Sequence, residues 1–183
     1  MAPFPWLDAA IIAGLILLNG FFAMSELAIV SARRPRLRAM AAQGTAGAKA
    51  AMTLAEEPGR FLSGVQIGIT LVGIINGAYS GATLAGPVGE RLTAISGLPA
   101  DTAEEIGFAV VIAITTYLSL IIGELVPKQF ALRSPESIAV KVAPAMVLFA
   151  KLTTPFVAAL DWSSKLVFRL LGQSRDNTQT VTE

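Results

Sequence analysis

Three long stretches of this chain contain no charged residue, and they constrain its fold more than any other feature. Residues 9–25 hold none across 17 positions, residues 61–89 none across 29, and residues 106–123 none across 18. A helix needs about 20 mostly apolar residues to cross a bilayer. The charge-free windows therefore predict three membrane-spanning helices, at residues 5–33, 62–87 and 104–130.

The composition excludes several classes of protein. Hydrophobic residues make up 54% of the chain and charged residues 15%, whereas an ordinary soluble domain carries about 25% charged residues. Because the sequence has no Cys and no His, it offers no disulfide, no thiolate or imidazole metal site and no Ser-His catalytic pair. The net charge of +1 does not indicate a nucleic-acid partner. We therefore expect a protein embedded in a lipid bilayer that is not an enzyme.

Lysine and arginine are distributed unevenly between the loops. None precedes the first predicted span, and the acidic loop over residues 90–105 contains only Arg91. Basic residues follow the first and third spans, at Arg33, Arg34, Arg36, Arg38, Lys49, Arg60, Lys128, Arg133 and Lys141. Since positive loops stay in the cytosol, we expect a multi-pass protein of the cell membrane, with its N-terminus outside and its C-terminus cytosolic.

Two further segments are predicted to lie along the cytosolic face. Residues 35–60 are rich in alanine with scattered basic residues, which favours interfacial helices. Residues 142–160 are apolar, but Lys151 divides them, and Pro144 and Pro155 each remove a helical hydrogen bond. This pattern favours interfacial helices, with a fourth span as the alternative. The expected fold is an all-α membrane protein with three transmembrane helices plus juxtamembrane interfacial helices.

Glu124 is the strongest functional signal, because an ionisable side chain within a span costs about 2.5–3.5 kcal/mol. Pro127 has no N–H, so the carbonyl of Gly123 is expected to lose its helical partner beside the carboxylate. Such oxygens are ligands for hard cations, and broken helices line ion sites in transporters. With no basic residue in the charge-free windows, Glu124 is expected to be protonated, to reach Lys128 one turn later, or to hold a transported cation.

Other polar residues also lie within the predicted spans. Ser25 is expected at a depth similar to that of Glu124, the alternative being a hydroxyl bonded to the carbonyl four residues earlier. Asn76 and Ser80 lie four residues apart on one face of the second span; the alternative for Asn76 is a hydrogen bond to another helix, and Thr70 is the fallback ligand. Oxygen ligands of these kinds suit Mg²⁺, Ca²⁺ or Na⁺ rather than Zn²⁺.

The second span also carries a stripe of small residues. Gly73, Gly77 and Gly81 repeat every four residues, and Gly64 and Gly68 extend the theme. Stripes of this kind let helices approach closely in membranes. The stripe predicts packing against a neighbouring span or a second subunit.

Three motifs, in order, resemble those of the CNNM/CorC family. They are Asn19-Gly20-Phe21-Phe22-Ala23-Met24-Ser25-Glu26-Leu27-Ala28, Gln66-Ile67-Gly68-Ile69-Thr70-Leu71 and Gly123-Glu124-Leu125-Val126-Pro127-Lys128. The resemblance implies a homodimeric transmembrane domain over residues 1–171. Residues 172–183 are then a linker toward a cytosolic CBS-pair module, normally in the same polypeptide, that this sequence does not contain.

The resemblance also implies a function. Members of the family export Mg²⁺ from the cytosol, driven by Na⁺ entry, and hold a dehydrated Mg²⁺ in an intramembrane site. Carried over, the ligands are Ser25, Asn76, Ser80 and Glu124, with a backbone oxygen at Gly123. The alternative is a membrane anchor and dimerisation platform for a cytosolic module that senses ATP and Mg²⁺, without transport.

Overall fold

A computed structural model describes residues 3–170 of the chain, and every regular element in that range is helical. The elements are α1 (Trp6–Ser31), α2 (Arg34–Ala42), α3 (Ala48–Glu56), α4 (Pro58–Ser96), α5 (Ala100–Leu120), a π-helical turn (Ile121–Leu125), α6 (Val126–Arg133) and α7 (Pro135–Leu170). The prediction of an all-α fold is confirmed for these residues. The predicted linker at residues 172–183 lies outside the described range.

The first predicted span is confirmed as α1. The helix ends where Ala32 takes an extended backbone with ψ of 130°. The chain restarts as α2, which has a proline in its first turn, and α3 follows. Both short helices fall within residues 35–60 almost entirely, so the prediction of helices there is also confirmed.

The second span is longer than predicted. Helix α4 runs for 39 residues and passes through Pro87, where the sequence predicts its end. A proline inside a helix removes one hydrogen bond, which the rest of a long helix tolerates. The helix ends instead at Gly97, whose φ of 69° is the left-handed conformation typical of a glycine after a helix.

The last helix, α7, corrects one expectation. It runs unbroken for 36 residues through both Pro144 and Pro155, so the expected division at Lys151 is wrong. By length and composition alone, four helices of the described range are able to cross a membrane: α1, α4, the continuous segment Ala100–Arg133, and α7. The count of three spans is therefore not confirmed.

Helix α7 nevertheless contacts only one end of the other spans. Phe149 packs against Phe22 of α1, with ring centroids 4.7 Å apart. Thr153 lies beside Gly64 near the start of α4. At the beginning of α7, a carboxylate oxygen of the buried Glu136 accepts the backbone N–H of Arg33 at 3.2 Å. We call this end of the bundle, where α1 finishes and α4 begins, the basic end, and the opposite end the acidic end.

The apolar core is divided between the two ends. The basic-end core draws buried residues from α1, α2, α3, α4, α6 and α7, including Phe22, Leu37, Val65 and Met146. The acidic-end core draws on α1, α4 and α5 alone, with Ile12, Ile16, Leu84 and Val111 as its buried members. The two cores share the spans but have no buried residue in common.

The glycine stripe of α4 serves more than one contact. A Cβ on Gly68 would lie 2.8 Å from the ring of Phe149, and one on Gly81 would lie 2.8 Å from the ring of Phe108. Gly64 and Gly68 therefore face α7, while Gly81 faces α5. Gly73 and Gly77 have no atom of the described chain within 4 Å of an added Cβ, so their side of α4 is open.

Candidate cation site

The helix is widened just before Pro127. The N–H of Val126 bonds to the carbonyl of Ile121, five residues earlier, so that residues Ile121–Leu125 form one π-helical turn. The wider turn makes room for the proline ring without ending the helix. Single π-turns occur frequently at functional sites. The expected break beside Glu124 is therefore present as a widened turn within a helix that keeps its direction.

The turn is fastened to α1 by Asn19. The amide nitrogen Nδ2 of Asn19 donates to the carbonyl oxygen of Gly123 at 3.1 Å, in a fully buried contact. Both helices carry glycine at this crossing, because a Cβ on Gly20 would lie 3.0 Å from the carbonyl oxygen of Ile122 and one on Gly123 would lie 3.1 Å from that of Ile16. The Gly123 carbonyl is therefore not free, as the proline suggested, but bonded to Asn19.

Sequence reasoning does not select Asn19 as a site residue. The sequence nevertheless indicates that Asn19 has a role, because an amide side chain in the apolar stretch of residues 9–25 needs a hydrogen-bond partner in a dry environment. Only the fold identifies that partner, which lies 104 residues further along the chain.

Glu124 is paired with Lys128. The ammonium Nζ of Lys128 lies 2.8 Å from Oε1 of Glu124, and the two side chains are 32% and 39% exposed respectively. Of the three expectations for this carboxylate, the structure has the contact with Lys128. The pair forms because the helix continues past Pro127 and keeps Lys128 one turn after Glu124.

Ser25 is completely buried, and its hydroxyl donates to the carbonyl of Phe21 at 2.6 Å. This is the alternative that the sequence left open. The bond uses the hydroxyl hydrogen and leaves the oxygen lone pairs available as acceptors. Ser25 forms no hydrogen bond with the other predicted ligands in the described chain.

Asn76 is 4% exposed, and its carbonyl oxygen Oδ1 accepts no hydrogen bond within residues 3–170. The alternative of an interhelical bond to this oxygen is therefore wrong for the described chain. The fallback residue Thr70 is exposed, with its hydroxyl 3.4 Å from Nε2 of Gln66. Buried acceptors without a protein partner are rare, and those that occur are often satisfied by a bound ion or a water molecule.

Ser80 lies one helical turn after Asn76 on the same face of α4. Its hydroxyl is completely buried, donates to the carbonyl of Gly77 at 3.1 Å, and lies 3.3 Å from the hydroxyl of Thr115 on α5. Thr115 is a second polar residue that sequence reasoning did not select. These contacts place a run of oxygen acceptors along the α4–α5 crossing.

The buried polar residues lie where the spans pass from one apolar core to the other. In α1, Asn19 stands between Ile16 of the acidic-end core and Phe22 of the basic-end core. In α4, Asn76 stands between Val72 of the basic-end core and Leu84 of the acidic-end core. The π-turn occupies the same position in the third span, after Val111 and before the buried Ala131. Each of the three spans thus carries polar or widened backbone elements between residues of its two apolar cores, and we call these elements together the polar layer.

This layer presents oxygen atoms and few charges. Asn19 also has an unbonded buried oxygen, and its Oδ1 and that of Asn76 are the two such side-chain atoms found in the described part of the chain. No group of three or more carboxylate, His or Cys side chains that could hold a metal ion occurs among the described residues. The chemistry that the layer offers is coordination of a hard cation by neutral oxygens, with Glu124 as the nearby carboxylate.

Comparison with known proteins identifies the family of the chain. The family described as "Cyclin M transmembrane N-terminal domain" (CNNM) matches residues 10–183. A UPF0053 protein of Synechocystis is 49% identical over 92% of this chain and 38% of its own length. The UPF0053 protein YhdT of Bacillus subtilis is 34% identical over 91% of this chain and 36% of its own length.

A third relative carries a functional name. The polyamine export protein of Haemophilus influenzae is 29% identical over 87% of this chain and 36% of its own length. The chain thus spans well under half the length of these relatives. Four apolar helices, a polar layer between two cores and the extent of the family match lead to one conclusion: the chain belongs to the CNNM family, whose transmembrane domain it represents.

Proposed function

We propose that this domain exports Mg²⁺ from the cytosol, coupled to Na⁺ entry, through the polar layer between its two cores. The observation that carries the proposal is the pair of buried amide oxygens, on Asn19 and Asn76, that accept no hydrogen bond within the described residues. An unsatisfied buried acceptor costs about 1–3 kcal/mol, and a bound cation would offset that cost. A membrane anchor has no need of such a layer.

The proposed ligands come from all three spans that form the layer. The candidate ligands are the residues expected from the sequence, namely Ser25, Asn76, Ser80, the backbone of Gly123 and Glu124, together with Asn19. They lie at several depths along the bundle, since Ser80 contacts Thr115, eight residues before Gly123, so an ion that crosses the bundle is proposed to meet them in succession. Ser25 and Ser80 already donate their hydrogens to backbone carbonyls, so their oxygens are oriented as acceptors. Mg²⁺ prefers oxygen ligands of this kind in octahedral geometry.

Glu124 takes part by exchanging its partner. Lys128 lies 2.8 Å from the carboxylate and neutralises its charge. A divalent cation in the layer attracts the carboxylate more strongly than the ammonium does, so binding is proposed to separate the pair. A ligand shifts a conformational equilibrium only by its differential affinity for the two states. Because the ammonium of Lys128 competes with the ion for Glu124, the state in which the pair is formed should bind the ion more weakly than the state in which the pair is separated.

The contacts at the acidic end support entry from the basic end, which is the predicted cytosolic side. There the hydroxyl of Tyr79 on α4 donates to Oδ1 of Asp8 on α1 at 2.7 Å. The acidic-end core packs directly beneath this bond. In the proposed cycle these contacts separate when the loaded site turns outward, and Na⁺ returning down its gradient favours their closure.

Reconstitution of the purified chain tests the proposal. Asn76→Leu should abolish Mg²⁺ flux into liposomes and the Mg²⁺-dependent rise in melting temperature. It should also stabilise the Mg²⁺-free protein by about 1–3 kcal/mol, because it removes an unsatisfied buried acceptor. Ser63→Ala, at an exposed position of the same helix, is the control, and it should retain flux and stabilisation. If Asn76→Leu kept its response to Mg²⁺, the proposed site would be wrong.

The second candidate cargo is a polyamine. Two observations favour it: the name of the Haemophilus relative, and the ammonium that Glu124 already accepts from Lys128. The same liposomes, loaded with spermidine in place of Mg²⁺, separate the two cargoes. Flux of spermidine without flux of Mg²⁺ would transfer the proposal to polyamines. If neither moved, the domain would be an anchor for a cytosolic module.

A further inference from the structure

A cavity of about 420 Å³ opens at the basic end, away from the polar layer. It lies between the last turns of α3, the beginning of α4 and the middle of α7. Leu54, Phe61 and Val157 form apolar walls, and several polar side chains share the lining. A cavity with apolar walls and a few convergent polar groups is typical of a small-molecule site.

The charges that line the cavity are balanced. Glu56, Glu57, Arg60 and Lys151 contribute two negative and two positive charges. Glu57 and Arg60 pair with each other, with 3.4 Å between Oε2 and Nη1. Glu56 and Lys151 form no ion pair within residues 3–170. Within that range the cavity therefore presents one carboxylate on α3 and one ammonium on α7, each without a counter-charge.

The two walls differ in hydrogen-bonding capacity. On the α3 wall, the hydroxyl of Thr53 donates to the carbonyl of Lys49 at 3.1 Å, so its oxygen faces a ligand only as an acceptor. Glu56, three residues later on the same helix, is also an acceptor. On the α7 wall, the ammonium of Lys151 is a donor. The hydroxyl of Thr154 on the same wall donates to the carbonyl of Ala150 at 2.8 Å, so Lys151 is the donor of the α7 wall, while the α3 wall offers acceptors.

Lys151 also stands in strongly apolar surroundings. Its neighbours Leu148 and Leu152 are 62% and 65% exposed on a helix with the length and composition of a membrane span. On a helix of that length and composition exposed leucines are expected to face lipid chains, and a lysine among them needs either water or an anionic partner. The cavity is therefore placed where lipid chains and lipid headgroups are both within reach.

We propose that this cavity binds the headgroup of an aminophospholipid such as phosphatidylethanolamine. The lipid phosphate accepts from Lys151, and the primary ammonium donates to Glu56 and Thr53. The acyl chains lie along the exposed leucines of α7. The zero net charge of the lining matches a zwitterion, whereas an anionic headgroup would pair with Lys151 and leave Glu56 without a cation. This site is independent of the polar layer and of the cargo that the layer carries.

Native mass spectrometry of the full chain, after removal of lipid and addition of single lipids, tests the proposal. Phosphatidylethanolamine should be retained about tenfold better than phosphatidylglycerol or phosphatidylcholine, the value of one charge-assisted hydrogen bond. Phosphatidylcholine is the discriminating probe, because its quaternary ammonium has no N–H to donate. Equal retention of the three lipids would overturn the proposal.

Substitutions of charged residues test whether the lipid binds in this cavity. Lys151→Met should lose most of the preference, Lys151→Arg should keep it, and Lys165→Met, on the exposed surface of the same helix, should have no effect. Glu56→Lys should reverse the preference toward phosphatidylglycerol, which a folding defect cannot do. If Lys165→Met matched Lys151→Met, or if Lys151→Met changed only the oligomeric state, the occupant would not be a lipid headgroup at this site.

Discussion

The two ends of this bundle bury apolar surface by different means. At the basic end six helices contribute to one core, and the short helices α2 and α3 fill the space between α1 and α7. At the acidic end three helices suffice, because glycines bring α4 and α5 into close contact: Gly89 and Gly107 each leave room for the other helix's backbone. The first core draws side chains from segments that are distant in sequence, whereas the second has few side chains and a close approach of two helix backbones.

This difference has a functional consequence. Glycine contacts allow two helices to slide or separate without repacking large side chains, whereas a core of many interlocked side chains resists such changes. If the domain transports ions as proposed, we expect the acidic end to open during the cycle while the basic end stays assembled. The polar layer lies at the junction, where a movement of one end against the other changes the distances between its oxygens.

The largest expected effect tests the basic end through Gly47. This glycine precedes α3 with φ of +80°, and a Cβ there would overlap the carbonyl oxygen of Val140 on α7. Gly47→Ala should lower the free energy of unfolding by about 2–5 kcal/mol, because left-handed strain adds to overpacking against backbone. Denaturation of the purified protein in detergent measures the loss.

Gly44→Ala is the matched control for that variant. Gly44 has nearly the same conformation, with φ of +76°, but nothing within 4 Å of an added Cβ. Gly44→Ala should lower the free energy of unfolding by the left-handed strain alone, about 1–2 kcal/mol. Equal losses in the two variants would show that the close approach of α3 to α7 does not support the basic end.

An intermediate effect is expected at the acidic end. A Cβ on Gly107 would lie 2.8 Å from the backbone nitrogen of Gly89 and 2.9 Å from the carbonyl oxygen of Ala85. Gly107→Ala should cost about 1–3 kcal/mol by forcing α4 and α5 apart. Gly86→Ala, with open space around it, should be neutral or slightly stabilising. A neutral Gly107→Ala would contradict the glycine-mediated contact.

The smallest effect concerns the open side of α4, which we propose as the surface for a second copy of the chain. Gly77→Ala meets no atom of its own protomer and should stabilise the isolated protomer by about 0.5–1 kcal/mol through helix propensity. In the proposed homodimer it should instead weaken association, measured by light scattering in detergent. Unchanged association would place the dimer surface elsewhere.

Much of the architecture was predictable because hydropathy is a local property. The charge-free windows located α1, α4 and the segment from Ala100 to Arg133, because placing a charge in lipid is unfavourable at any position in the sequence. The end of α4 and the continuity of α7 were not predicted. Prolines are weak helix stops in long apolar helices, where tertiary packing compensates for one lost bond.

For the candidate site, the sequence predicted the types of residue and two of four side-chain contacts. The i→i+4 contacts of Ser25 with Phe21 and of Lys128 with Glu124 were foreseen as alternatives, because helix geometry fixes them. The bond from Asn19 to Gly123 and the contact of Ser80 with Thr115 were not, because they join different helices.

The sequence by itself determined that this chain is a helical membrane protein with oxygen-bearing side chains within its apolar helices, since those conclusions follow from transfer free energies of individual residues. Only the tertiary structure decided that the buried amides stand between two apolar cores, and that the amide oxygens of Asn19 and Asn76 accept no hydrogen bond within the described residues. The physical reason is that whether a polar atom finds a partner depends on which helices cross at its position, and helix crossings are set by side-chain packing over long separations in sequence.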